Sequence, residues 1–182
     1  MKRKLFALML ILCLIAGLTL TAYASSSHLV DSAGLLTGTE AANLEAKLSK
    51  ISDRHNVDIV IVTADSTDGK SPMEFADDYY DYNGYRADGI LLLVSMEDSD
   101  WWISTAGYGI TAVTDAGLNY MSDQFVPYLS DEEFAQAFEK FADLCDEFIT
   151  QAKTGDPYDS HNLPKEPFSL VTNLLIAFGI GL

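Results

Sequence analysis

The sequence predicts an α/β protein, a three-layer α/β/α sandwich with a small mixed β-sheet between helices. Three observations predict it. Two short runs, Asp58–Thr63 and Gly89–Val94, are apolar on both faces, as central strands covered by helices on both sides must be. A helical segment opening at Ser71 separates them, which makes them parallel neighbours joined by a right-handed crossover. A third run, Trp101–Thr105, follows after only Ser95-Met96-Glu97-Asp98-Ser99-Asp100. That link suits a hairpin and is too short for a crossover, so the sheet is mixed.

The chain opens with Lys2, Arg3 and Lys4, an apolar stretch from Leu5 to Leu20, and the small-residue triplet Ala22-Tyr23-Ala24. This pattern predicts a secretory signal peptide over residues 1–24, cleaved after Ala24, and therefore a secreted or cell-surface domain. Capping boxes then mark three helix starts: Thr37 with Glu40, Ser71 with Glu74, and Ser130 with Glu133; in each a hydroxyl and a Glu three residues on satisfy orphan backbone amides. Pro72 stands where a first helical residue tolerates proline. The first helix carries Leu44, Leu48 and Ile51 on one face, and the last carries Phe134, Phe138, Phe141, Cys145 and Phe148 on one stripe. Between them a further helix is expected from near Thr114-Asp115 through Leu118, Met121 and Phe125 toward Pro127. Cys13 leaves with the signal, so Cys145 pairs with no other cysteine of the chain, and its place on the apolar stripe predicts an inert core thiol.

The folded domain is expected over residues 25–153, with Thr154-Gly155-Asp156-Pro157, Pro164 and Pro167 marking a linker over 154–167. Residues 168–182 are apolar and uncharged. At 1.5 Å per residue they reach about 22 Å, less than a bilayer's hydrocarbon core. They read as the start of a membrane helix that tethers the domain, with an interfacial tail as the alternative.

All 27 acidic residues lie after residue 24 and three of the 11 basic ones before it, leaving eight positive against 27 negative charges, a net of −19. Such a surface disfavours nucleic acid and anionic headgroups and favours cations. The sequence lacks a phosphate loop, a dinucleotide glycine fingerprint, a His-Glu-x-x-His pair and a nucleophile elbow. His28, His55 and His161 are far apart in sequence, which speaks against a histidine zinc site or a Ser-His-Asp triad.

Two stretches hold most of the remaining unusual residues: Tyr79–Gly89, leading into the second strand, and Thr105–Ala116, leading out of the third. A hairpin between those strands brings the two stretches to one sheet edge, and Asp88 and Asp115 with them. Two carboxylates, with backbone carbonyls near Gly84, Gly107 and Gly109, offer the hard oxygen ligands that Ca²⁺ or another divalent cation takes. Plainer roles stand beside this one: Asp115 caps the next helix, and Asp88 precedes a turn glycine. The acidic tip Glu97-Asp98-Ser99-Asp100 is a competing cation site at the opposite edge, although it lacks the glycine and distal Glu of an EF-hand. Trp101 and Trp102 face opposite sides of the sheet if strand periodicity holds, so at least one belongs to the core. Tyr79 and Tyr80 are expected to pack the second helix onto the sheet.

Several short motifs, in order, resemble one family. They are Val30-Asp31-Ser32-Ala33-Gly34-Leu35-Leu36-Thr37, Val62-Thr63, Phe75-Ala76, Asp88-Gly89-Ile90-Leu91-Leu92-Leu93, Ser104-Thr105-Ala106-Gly107-Tyr108-Gly109 and Thr114-Asp115. Over about residues 28 to 150 the chain is similar to TPM domains, the family of the thylakoid acid phosphatase, the photosystem II repair protein and a nematode receptor modulator. The resemblance implies an α/β/α sandwich outside the cytoplasm, often tethered by a C-terminal membrane helix. It also implies a divalent-cation site, calcium in some members, and weak acid phosphatase activity in some. Carried over by position, Asp88 and Asp115 are the family's acidic residues and Asp31 is the acidic residue of the N-terminal motif. The chain departs from the pattern at Tyr82-Asn83-Gly84-Tyr85, where similar members often carry tryptophan, and it lacks their glycine-rich tail.

Two functions follow as expectations. The first is a tethered, cation-stabilised module that docks on a membrane or envelope protein and performs no chemistry. The second is a metal-assisted phosphomonoesterase, in which the ion polarises the phosphoryl group and activates water. Against the enzyme stands a shortage of positive charge, with only Arg86 and Lys70 near the relevant loops.

Overall fold

A computed structural model describes residues 26–97 and 99–165. The predicted signal peptide, the whole predicted apolar segment 168–182, and Asp98 of the acidic tip lie outside the described residues. The element order is β1 (Leu29–Asp31), α1 (Gly38–His55), β2 (Asp58–Ala64), α2 (Pro72–Tyr82), β3 (Gly89–Ser95), β4 (Asp100–Ala106), α3 (Tyr108–Ala112), α4 (Asp115–Ser130) and α5 (Phe134–Ala152). The sheet has the order β1-β2-β3-β4. β1 and β2 are parallel, as are β2 and β3, while β4 runs antiparallel to β3. The expected mixed sheet and hairpin are therefore present.

Every residue of β2 and β3 is buried, because each alternates its side chains between two apolar layers. Ile59, Ile61, Ile90 and Leu92 face the larger core, filled by Leu44, Leu48, Phe125, Phe138, Phe141 and Phe148 from α1, α4 and α5. Val60, Val62, Leu91 and Leu93 face the smaller core, closed by Ala76 and Tyr80 of α2. The sandwich is thus unequal, with one helix on one face and four on the other. Cys145 is fully buried in the larger core, where burial pushes its thiol well above the ordinary value and keeps it protonated.

The boxes at Thr37–Glu40 and Ser71–Glu74 form as expected. The one expected at Ser130–Glu133 does not. α4 runs through Pro127 to Ser130, whose hydroxyl donates back to the Val126 carbonyl at 3.1 Å. The helix then closes in a Schellman motif: Glu132 takes φ 59°, its amide donates to the Leu129 carbonyl, and the Glu133 amide donates to the Tyr128 carbonyl. Ser130 is bound within the helix it ends, and Glu133 caps α5 without a side-chain bond.

Two elements were not foreseen from the pattern. β1 has three residues, too few to show a period, and α3 occupies five residues of the glycine-rich stretch after β4. The segment after α5 lies against the domain: Tyr158 meets Phe148 edge-on with centroids 4.9 Å apart, and its carbonyl accepts from the Thr114 hydroxyl at 2.9 Å.

Candidate functional site

The two free sides of the sheet differ, and together they hold the groups that chemistry or binding would use. At the β1 side the N-terminal strand ends meet α1. The amide of Leu29 donates to Glu45 Oε2 at 2.6 Å and the Ser27 hydroxyl to the same oxygen at 3.0 Å, so one carboxylate seals the strand's entry. Beside it Asp58, 5% exposed, accepts from the Arg86 amide and from Arg86 Nη1, both at 2.7 Å. His28, 3% exposed, places Nε2 at 3.3 Å from the same carboxylate. Arg86 reaches on to Asp53 at 2.9 Å. Burial pushes the Asp58 carboxyl up, but the bonds from His28 and the Arg86 amide, joined by the Arg86 charge, outweigh it and hold the group below its ordinary value. Tyr80 and Tyr85 lock the same loop as neutral donors, Tyr80 to the Arg86 carbonyl at 2.8 Å and Tyr85 to the Ser27 carbonyl at 2.9 Å; burial raises both hydroxyls far above pH 7.

This network was not singled out in the sequence. Its one local signal was an acidic residue at the first position of an otherwise apolar strand, Asp58. What it does is hold the Tyr82–Tyr85 loop to the entry of β1. Among the described residues its buried side-chain polar atoms all have partners, so it reads as architecture.

The predicted site residues are distributed as follows. Asp88 stands immediately before β3 and accepts from the Tyr108 amide at 2.7 Å, fastening α3 under the strand ends. Gly107, at φ 53°, is the residue that permits this, since a Cβ there would run into Asp88 Oδ1 and the Ala87 carbonyl. Asp115 is exposed in the first turn of α4. The cap of that helix is Thr114, whose Oγ1 accepts from the Gly117 amide at 3.1 Å, and not Asp115. Asp31 is at the other end of the sheet. It pairs with Thr63 near the exit of β2, whereas Asp88 adjoins Gly89, which pairs with Asp58 at the entry of β2. Five residues of strand separate those positions, about 17 Å. The Asp31 carboxylate accepts from the Leu35 and Leu36 amides at 3.0 Å each and from the Thr63 hydroxyl at 2.6 Å. It shapes the loop into α1 and cannot share an ion with Asp88. A three-carboxylate site of Asp31, Asp88 and Asp115 is thereby corrected. Among the described residues no group of three or more His, Cys, Asp or Glu side chains converges as metal ligands.

The histidines stay apart as well: His55 pairs with Asp146 at 2.6 Å and exposed His161 lies 3.8 Å from Asp156. Of the two cations near the loops, Arg86 is held by Asp58 and Asp53, and Lys70 by Asp78 at 2.7 Å.

At the β4 side the surface is open. A groove of about 540 Å³ crosses the outer strand, with Trp101, Trp102 and Ile103 as its floor, Pro72 and Met73 of α2 on one wall, and Leu118 and Ser122 of α4 on the other. Trp101 and Trp102 do face opposite sides. Trp101 packs edge-on against Phe125 at 5.3 Å, while Trp102 is 39% exposed and Met73 46%. A second cleft of about 370 Å³ shares Asp100 and Trp101 and continues past Met96 and Leu129. Neither cleft was legible in the sequence, because each is made by elements far apart in the chain.

A family-wide comparison matches the TPM domain over residues 29–148. The chain belongs to the TPM domain family. It is 26% identical over 117 residues to the UPF0603 protein YdjH of Bacillus subtilis, a match spanning 64% of this chain and 46% of that protein. The chain thus corresponds to about half the length of this curated relative. Solved TPM-like folds superpose on it. The N-terminal domain of a protein from P. gingivalis gives a TM-score of 0.60 at 19% identity, covering 76% of this chain and 91% of that one. The N-terminal domain of cg2496 from Corynebacterium glutamicum gives 0.58 at 17%, covering 84% and 96%. BA42 from Bizionia argentinensis gives 0.56 at 15%, covering 72% and 91%. At these identities the structures speak for the α/β fold alone.

Proposed function

We propose that this TPM domain is an exported docking module, tethered by the apolar segment at 168–182, that engages a membrane or envelope protein and catalyses nothing. One observation carries the reading: the groove across β4 leaves large apolar side chains, Trp102 and Met73, open to solvent beside an uncovered strand. An exported domain exposing such a patch gains from covering it with a partner. The phosphomonoesterase reading has less support. Arg86 and Lys70, the cations nearest the candidate carboxylates in sequence, are each neutralised by aspartates and are not available to hold a phosphate.

A divalent cation, Ca²⁺ foremost, is proposed at Asp88 and Asp115. These two carboxylates fit a weakly held ion completed by backbone carbonyls and water, not a closed cage. Bound there, the ion would tie the entry of β3 to the start of α4 and stiffen the domain.

The test uses the full chain in an exporting host. A photo-crosslinking residue at Met73 should give an adduct with a membrane or envelope protein, and the same residue on the far face at Lys50 should not. Failure at both positions overturns the docking reading. Turnover of p-nitrophenyl phosphate by the purified chain, lost in Asp88→Ala, would favour the enzyme instead. For the ion, calcium should raise the melting temperature of the full chain, and Asp88→Ala or Asp115→Ala should remove that rise. A saturating ligand at 100 times its Kd adds about 2.7 kcal/mol.

A further inference from the structure

The groove has a property beyond being apolar: its floor is a strand with no strand partner on its outer side among the described residues. β4 ends the sheet, so one side of it has no strand neighbour among the described residues. Which amides point outward follows from two bonds. The Met96 amide donates to the carbonyl of Ala64, the last residue of β2, so by alternation the Ser95 amide points the other way, to its β4 partner Asp100. The Trp101 amide then points away from the sheet, and it does: it donates to the Asp100 carboxylate at 2.8 Å, not to β3. With period two, the amides and carbonyls of Ile103 and Thr105 face outward as well.

A chain laid along that side would add a fifth strand between two helices. Its alternate side chains would meet Trp102 and Met73 on one face and Leu118 and Ser122 on the other. Charge decides what kind of chain. α2, β4 and α4, the three elements that build the groove, carry Glu74, Asp77, Asp78, Asp81, Asp100, Asp115 and Asp123 and no lysine or arginine. Lys70, just before α2, is already paired with Asp78. A second copy of this domain would set the same acidic edge against itself, and the uncharged segment 168–182 would gain nothing from it.

We infer that the outer side of β4 is a strand-addition site for an extended segment of a partner protein in which aliphatic residues alternate with lysine or arginine. This rests on the docking reading and gives it an address. The bonds come from the backbones, the alternate aliphatic side chains fill the groove, and the basic ones meet the acidic rim. Asp100, which covers the Trp101 amide in the free domain, is the group that gives way: it exchanges that amide for a partner cation as the strand adds.

The experiment uses the full chain and a short peptide alternating lysine and valine, with a glutamate–valine peptide as its control. Hydrogen exchange read by NMR should slow about tenfold or more at the amides of Trp101, Ile103 and Thr105 with the lysine peptide only. Affinity from tryptophan fluorescence should fall with added salt. It should also fall about tenfold in Trp102→Ala, whose ring is 39% exposed in the free domain. Asp100→Lys should abolish the preference for the lysine peptide. The inference is overturned if the three amides stay unprotected. It is overturned equally if they are protected without peptide and lose this protection on dilution, which means a second copy, or on removal of residues 168–182, which means the chain's own tail. Crosslinking from Met73 that persists while the peptide gives no protection at β4 would keep the docking function and remove this address. Loss of both removes both.

Discussion

The two outer strands of the sheet are managed in opposite ways. β1 is three residues long, and its entry is closed by a carboxylate from a helix, with Asp58, His28 and Arg86 packed behind. β4 is seven residues long, and among the described residues its outer side is shielded by Asp100, from its own strand and at the Trp101 amide. An uncovered strand invites pairing with other chains, and proteins blunt such edges by shortness, charge or cover. The molecule applies all three at β1 and little beyond charge at β4. A difference of that kind on one sheet is informative: the closed side is held by its own side chains, and the open side is where the proposed association would take place.

The contrast can be broken by mutation, and the largest effect is expected within β4 itself. Trp101→Ala removes the ring packed on Phe125 and should lower unfolding free energy by about 3 kcal/mol in urea titration. Trp102→Ala, next along the strand and 39% exposed, should cost less than half of that. Equal losses would mean that the groove is core and not a binding surface.

At the closed side, Asp58→Ala leaves the Arg86 and His28 donors without their acceptor and should cost about 2 kcal/mol. That is below the value for a fully buried pair because Arg86 is half exposed. Acid should reproduce part of this loss in the unmutated chain. The Asp58 pKa is lowered on folding, so its contribution is complete above the unfolded carboxylate value of about 3.9 and disappears as pH falls through the lower folded value. The stability gap between the chain and Asp58→Asn should accordingly narrow as pH falls below about 4. A gap that widens in acid would contradict the assignment.

The smallest effect is expected at the seal itself. Glu45→Ala removes the acceptor of the Leu29 and His28 amides at a half-exposed position, while the Ser27 hydroxyl keeps the Leu29 carbonyl, and should cost about 1 kcal/mol. Its sharper signature is local: faster hydrogen exchange in β1, with β4 unchanged. Exchange that quickens across the whole sheet would show that the seal stabilises the fold globally and that the two edges are not independent.

Much of the fold was legible in the chain because the signals were local or periodic. Asp58–Thr63 and Gly89–Val94 are apolar on both faces because both faces are covered, and Thr37–Glu40 and Ser71–Glu74 satisfy amides within one turn. The same locality misled at Ser130, where a hydroxyl and a glutamate three residues on match the start of α5 as well as the end of α4. The structure closes α4 through a left-handed Glu132 instead. For the site, the hairpin was legible, and it is what brings the loop before β3 and the loop after β4 to the same end of the sheet. The sequence did not determine that Asp31 lies at the opposite end, since that depends on the parallel register of a three-residue strand with β2. Nor did it determine the acidic groove over β4, whose walls come from Pro72 and Leu118 and whose floor is Trp102. Periodicity reports which face of an element is buried; which elements flank an open strand, and with what charge, is decided only when the layers pack.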